Sequence, residues 1–271
     1  MTSIADFSST PLAELLSLKG RVAIVTGGAQ GLGKGIARRL AEAGATVLLG
    51  DRNLELACQT AAAIAAEYDA MVEAIAMDVS DSAAIAAAAS HAKDAFGSVD
   101  IWVNNAGVFP HIPLQHMTDA DWDNVFSVNA RGTFAGCREA AKAMQGRGGV
   151  IVNVASLAGL RGISPGLSAY VSSKHAVVGL TKQLALELAP ERIRVIAVAP
   201  SFMVTEGNLA LIKQDPRMAE LAAEAIPSMI TSKLGRVGQP DDIARTVLFA
   251  VSDMASFITG ETIVVDAAET A

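Results

Sequence analysis

The chain has little with which to build a cross-linked, basic or membrane-inserted protein. Its 271 residues include two cysteines, Cys58 and Cys137. They stand far apart and outside any CxxC or Cys/His spacing, which fits free thiols in a reducing compartment better than a disulfide framework. Neither is a good candidate for catalysis. Basic residues are the minority, 21 Lys and Arg against 28 Asp and Glu, and the net charge is −7. The cations are scattered, so the sequence offers neither a nucleic-acid footprint nor a membrane-surface patch. Charges or glycines interrupt every apolar run before the roughly 18 residues needed to span a bilayer. The opening MTSIADFSSTPLAELLSLKG lacks a basic segment followed by a long apolar one, so no signal peptide is expected. Of four histidines, His91 and His175 read as helix residues. His111 and His116 are close enough to the strand end at Gly107 to border a substrate, but their i, i+5 spacing across Pro113 makes a metal site improbable. The expectation is a cytoplasmic protein without metal. No repeat and no Pro/Ser linker divides the chain, so residues 1–19 read as an N-terminal extension and 20–271 as a single domain.

What the sequence has is apolar residues, 51% of the chain, arranged in alternating short and long segments. Val22-Ala-Ile-Val-Thr26 is apolar without polar alternation, as in a strand covered on both faces. It runs into glycines and then the helical GKGIARRLAEAGA. Thr46 to Gly50 is a second such strand, ending at Asp51. The helix LELACQTAAAIAAEY, the strand VEAIAMDVSD, an alanine-rich helix to Phe96 and the strand VDIWVNNAG follow. A long helix around 119 to 146, the strand GVIVNVAS, a helix carrying Tyr170 and Lys174, and the strand IRVIAVAP complete the pattern. Alternation of this kind predicts an α/β fold: a Rossmann-type, doubly wound parallel sheet of about seven strands with helices on both faces. Ligands bind such sheets at the carboxyl ends of the strands.

The chemistry concentrates there. Tyr170 and Lys174 are i and i+4 on a helix, on one face. A fixed positive charge near a phenol favours the phenolate and lowers its pKa, so Tyr170 is a candidate general acid/base. Between the first strand and first helix, Thr26-Gly-Gly-Ala-Gln30-Gly-Leu32-Gly33 has the spacing G-x-x-x-G-x-G. Gly27 allows a tight turn, Gly31 lets backbone approach a pyrophosphate, and Gly33 lets the helix lie close, its first N–H groups facing the phosphates. Asp51 stands where a carboxylate takes the adenosine ribose hydroxyls and repels a 2′-phosphate, which favours NAD over NADP. Arg52 beside it pulls the other way.

These residues resemble the short-chain dehydrogenase/reductase family. TGGAQGLG is similar to its cofactor loop, Asn104-Asn105-Ala106-Gly107 to its NNAG motif, and YVSSK to its YxxxK, while Asn129 and Ser156 fall at its catalytic asparagine and serine. The resemblance, from about residue 18 to the C-terminus, implies catalysis by Asn129, Ser156, Tyr170 and Lys174. Tyr170 would exchange a proton with the substrate oxygen and Ser156 would polarise that oxygen. Lys174 would lower the Tyr170 pKa and hold the nicotinamide ribose, and Asn129 would hold a water linking Lys174 to solvent. It also implies cofactor contacts from Gly27, Gln30, Gly31, Leu32 and Gly33 and from Asp51 and Arg52. Further contacts fall to Asp78, Val79, Asn105, Ala106 and Gly107, and to Tyr170, Lys174, Pro200 and Thr205. Departures are Ser201 for a glycine, Ile196 for an asparagine, and Ala267-Ala268 for two glycines.

Residues 202 to 234 lie at the family's substrate lid. Phe202, Met203, Leu209, Leu211, Ile212, Met218, Leu221 and Met229, with Val108, Phe109 and Leu157, suggest an apolar alcohol or ketone; the same residues would equally serve to bury a lid helix. Lys213, Arg217 and Lys233 would meet an acidic group if turned inward. Three readings stand: an NAD-dependent secondary-alcohol dehydrogenase, an NADPH-dependent 3-oxoacyl-thioester reductase, and a dinucleotide-sensing module without catalysis. The resemblance implies a homotetramer assembled partly through the helices at about 119 to 146 and 168 to 188.

Overall fold

A computed structural model describes residues 6–206 and 232–271. In chain order its first elements are α1 (Leu12–Leu15), β1 (Val22–Thr26), α2 (Gly31–Glu42), β2 (Thr46–Asp51) and α3 (Leu54–Tyr68). β3 (Val72–Ala76), α4 (Ser82–Phe96), β4 (Ile101–Asn104) and α5 (Asp119–Phe126) follow. Then come α6 (Gly132–Met144), β5 (Gly149–Val154), α7 (Ser168–Leu188), β6 (Ile193–Pro200), α8 (Pro240–Val251) and β7 (Thr262–Val265). The helices start where capping chemistry allows. The Asn53 side chain accepts from Leu56 N–H at 3.1 Å and Asp81 from Ala83 N–H at 2.8 Å, while Thr118 and Asp121 form a reciprocal capping box at α5.

The strands form one sheet, ordered β3-β2-β1-β4-β5-β6-β7, with every pairing parallel. Successive residues of β1 face opposite layers: Ala23 and Val25 pack with Ile36 and Leu40 of α2 and Val247 of α8, and Val22 and Ile24 pack with Ile85 of α4 and Met144 of α6. This two-sided burial is why the strand runs are apolar throughout, each buried aliphatic side chain contributing about 1.5–3 kcal/mol.

Three boundaries differ from the sequence reading. The strand read as VEAIAMDVSD ends at Ala76. Asp78 turns the chain there by accepting from both the N–H and the hydroxyl of Ser80, at 2.9 and 2.7 Å. The strand read through Gly107 ends at Asn104. The long helix of 119 to 146 is two α-helices joined through a π-helical turn, Ser127–Arg131, and it ends at Met144. Among the described residues no helix is long and apolar enough to cross a membrane.

Candidate active site

β1 is flanked by β2 on one side and β4 on the other, so the chain reverses its winding direction between β1 and β4 and opens a crevice at their carboxyl ends. Thr26 and Asn105 close its floor. Thr26 Oγ1 accepts from the amides of Asn105 and Ala106, at 3.0 and 3.1 Å. Asn105 Nδ2 donates to the carbonyls of Thr26 and Gly27 at 2.9 and 3.1 Å. Gly27 and Gly31 have φ of +64° and +57°, which a side chain would strain. Gly33 is required for a different reason: a Cβ there would overlap the Gly27 carbonyl. Gln30 is the N-cap residue of α2, and Leu32 packs against the core.

Asp51 ends β2 with both oxygens engaged, Oδ2 by Ala29 N–H at 3.0 Å and Oδ1 by Asn53 N–H at 2.9 Å. The carboxylate is therefore fixed against the glycine loop. Asp78 is held below the usual carboxylate range, first by the Ser80 hydrogen bonds and further by the charge of exposed Arg52. Val79 touches the start of α6, where a Cβ on Gly132 would come 2.8 Å from the Val79 carbonyl. A loop without room for side chains, a helix N-terminus and a fixed carboxylate at the next strand end form a cradle that fits a dinucleotide.

The four expected catalytic residues converge beyond β4 and β5. Lys174 is buried, and Nζ donates to the Val154 carbonyl at 2.7 Å. It lies 5.9 Å from the Tyr170 ring centroid. Burial brings its ammonium down to about 8. Burial pushes the Tyr170 phenol up, and a hydrogen bond from Ser156 opposes that rise. This corrects the sequence reading in direction, because in this structure it is desolvation that governs the phenol and Ser156, not Lys174, that counters it. Ser156 Oγ also accepts from Ala158 N–H at 3.1 Å, starting a tight turn against α7.

Asn129 sits in the π-turn, fully buried. Its Oδ1 accepts from Val108 N–H at 2.8 Å, and its Nδ2 donates to the Val108 carbonyl at 2.8 Å and to Ser173 Oγ at 3.0 Å. Ser173 in turn donates to the Tyr170 carbonyl at 2.8 Å. The amide expected to hold a water is thus engaged in pinning the NNAG loop to the catalytic helix. Gly107 faces both groups, and a Cβ there would lie 3.3 Å from Asn129 Oδ1 and 3.7 Å from Lys174 Nζ.

The sequence marked Val108 only as an apolar pocket residue and Ser173 only as an interior position of YVSSK, and it did not signal the anchoring role of either or of the Val154 carbonyl. Nor did it signal the buried chain beneath the site: Trp102 Nε1 to Asn104 Oδ1, Asn104 Nδ2 to Asn153 Oδ1, and Asn153 Nδ2 to Thr181 Oγ1, at 2.8, 2.9 and 2.9 Å. Cys137 belongs to this cluster, and burial lifts its thiol to about 12, so it is inert at neutral pH. Exposed Phe109 borders the site, edge-on to Tyr170 at 6.0 Å between ring centroids. His111 covers Gly166 at this rim.

Ser201 has no positive φ, so serine in place of glycine strains nothing, and Ile196 lies in the core. Ala267 and Ala268 do have positive φ, +49° and +64°. Pro200 closes β6 against Val265, and Thr205 approaches Gly31. Leu209, Leu211, Ile212, Lys213, Arg217, Met218, Leu221 and Met229 lie outside the described residues.

A family model described as enoyl-(acyl carrier protein) reductase matches residues 27–267. The chain is 36% identical to a 3-oxoacyl-[acyl-carrier-protein] reductase of Thermotoga maritima, over 93% of this chain and 98% of the relative. It is 38% identical to a 3α-hydroxysteroid dehydrogenase of Mediterraneibacter gnavus, again over 93% and 98%. A short-chain type dehydrogenase/reductase from Mycobacterium marinum superposes with a TM-score of 0.86 at 33% identity, covering 95% of this chain and 98% of that one. A 7α-hydroxysteroid dehydrogenase solved with NADH and 7-oxo glycochenodeoxycholic acid also gives 0.86, at 31% identity over 94% and 96%. A parallel sheet that opens where its winding reverses, a tyrosine and lysine one helical turn apart at that opening, and likeness over nearly the whole length converge: the chain belongs to the short-chain dehydrogenase/reductase family and is an oxidoreductase of the secondary alcohol/ketone couple.

Proposed function

We propose that the protein is an NAD-dependent dehydrogenase/reductase of an apolar secondary alcohol or its ketone, with Tyr170 as general acid/base. The observation that carries this is the meeting of Tyr170, Ser156 and Lys174 beside the exposed aromatic ring of Phe109. In reduction Tyr170 gives its proton to the carbonyl oxygen, while Ser156 donates a hydrogen bond to the same atom. Burial keeps the phenol protonated, the form reduction needs. In oxidation the phenolate takes the alcohol proton, aided by the hydrogen bond from Ser156. Asn129 acts by holding Val108 and Ser173, and through them the loop and the helix that frame the reacting atoms.

Gly27, Gln30, Gly31, Leu32 and Gly33 would hold the pyrophosphate, Asp51 the adenosine ribose, and Asp78 and Val79 the adenine. Asn105, Ala106 and Gly107 would line the middle of the dinucleotide, Lys174 and Tyr170 would take the nicotinamide ribose, and Pro200 and Thr205 the carboxamide. Bound there, the dinucleotide supplies or accepts the hydride. NAD is favoured because the Asp51 carboxylate is fixed by two main-chain amides and because Arg52 faces the charge of Asp78. The hydroxysteroid relatives support an apolar, cyclic substrate. A second reading, an NADPH-dependent 3-oxoacyl-thioester reductase, draws on exposed Arg52 and on the 3-oxoacyl reductase relative. The net charge of −7 disfavours it, since an acidic carrier protein needs a basic surface. We place the protein in the cytoplasm, on its unpaired cysteines, as a homotetramer that covers exposed Phe134 and Leu186 of α6 and α7.

Initial rates with NAD and NADP across aliphatic, cyclic and steroid alcohols test this. NAD-linked turnover is expected, falling about 10²- to 10⁴-fold in Tyr170→Phe while NADH binding persists. Turnover confined to NADPH and an acyl thioester would establish the second reading, and undiminished turnover in the variant would remove Tyr170 from the chemistry.

A further inference from the structure

The cradle assigned above to the pyrophosphate already holds an anion of the chain's own. Gly31 N–H, the first amide of α2, donates to Glu206 Oε2 at 3.0 Å. Lys34 Nζ lies 3.5 Å from Glu206 Oε1. Thr205, the preceding residue, leans on the same glycine: a Cβ on Gly31 would lie 3.4 Å from Thr205 Cβ. Glu206 therefore uses what makes this helix end attractive to phosphate, an amide with no intrahelical acceptor at the positive end of the helix dipole, with a lysine one turn on. Its carboxyl is held below the usual range, first by its own backbone amide and then by Gly31 and Lys34, against partial burial. It is thus charged at neutral pH. A carboxylate at hydrogen-bond distance from Gly31 and a pyrophosphate on the same amide would share one donor and repel each other.

We propose that Glu206 is an internal competitor for the dinucleotide's pyrophosphate and so sets cofactor affinity, the cofactor binding only as Glu206 releases the Gly31 amide. The inference rests on the dinucleotide reading above. Asp51 acts differently, because it selects between cofactors at the ribose, whereas Glu206 would weaken binding of NAD and NADP alike.

The test is the Kd for NADH, read from nicotinamide fluorescence on the full chain, for wild type and Glu206→Gln. The variant keeps the side-chain length and removes the charge. It is expected to bind NADH about tenfold more tightly, within what one carboxylate at a helix terminus can contribute. Inorganic pyrophosphate, as a competitor of NADH, should likewise gain potency in the variant. Thermal melts separate this from a capping role alone: without cofactor the variant melts lower, and NADH raises its melting temperature more than that of wild type. An unchanged or weaker Kd in Glu206→Gln, with wild type binding NADH, overturns the inference and leaves the dinucleotide reading standing. If neither form binds NADH, that reading fails and this one with it.

Discussion

Lys174 carries a proton that the fold makes weak, about 8 against 10.5 for an exposed lysine. Between pH 8 and 10 the unfolded chain holds this proton and the folded chain releases it. The unfolded state then binds more protons, and stability rises with pH across that window. Tyr170 acts oppositely above pH 10, where the buried phenol keeps a proton that the unfolded chain loses. In urea unfolding, wild type should therefore gain on Lys174→Met from pH 8 to 10, by at most about 3 kcal/mol; a constant difference would mean that the lysine stays charged throughout. Ala267 and Ala268 hold strain of another sort, since both adopt the left-handed region. Asp266 enforces it by accepting from Ala268 N–H at 3.0 Å and Thr270 N–H at 2.8 Å. Replacing Ala268 by glycine should stabilise the protein by about 1 kcal/mol, visible as a higher urea midpoint with unchanged m-value; a lower midpoint would show that the methyl group contributes packing that outweighs the strain.

The π-turn of Ser127–Arg131 is the element on which the site depends most. It places Asn129 where one amide satisfies both main-chain groups of Val108 and the Ser173 hydroxyl. Asn129→Ala orphans both main-chain groups of Val108, while Ser173 keeps its bond to the Tyr170 carbonyl, so unfolding should become easier by about 2 kcal/mol or more, whereas Tyr170→Phe should leave stability close to wild type. Equal stabilities in the two variants would show that the contacts of Asn129 are readily replaced by water. None of this was legible in SVNAR, because the partner of Asn129 is Val108, a loop residue 21 positions away in sequence. The strands were legible: Val22–Thr26 and Ile193–Pro200 are apolar because both faces are covered, and composition alone carries that. The catalytic helix was legible to its ends, Ser168 and Leu188, and so was the placement of Tyr170 over Lys174. The direction of the Tyr170 pKa was not, because it depends on how deeply the ring is desolvated. The contact of Glu206 with Gly31 was not either, since it joins two chain segments that only the fold brings together.

At the scale of the molecule, α6 and α7 lie side by side and leave Phe134 and Leu186 exposed, Leu186 at 74%. Arg138 already stacks over Phe134, 5.6 Å from its ring. In the proposed homotetramer, covering this side chain would tie assembly to the helix that carries Tyr170. Leu186→Glu should shift sizing chromatography toward smaller species and lower turnover, and wild type eluting as a monomer at working concentration would overturn the tetramer. The pairing of β1 with both β2 and β4 has a kinetic consequence as well. Val25 meets Leu49 across one βα unit, but it meets Val103 only after two strands and three helices have intervened. Closing so long a loop is slow relative to local helix and βα formation. The crevice lies on that seam, so on refolding most of the helix and sheet returns before there is a place for any ligand to bind.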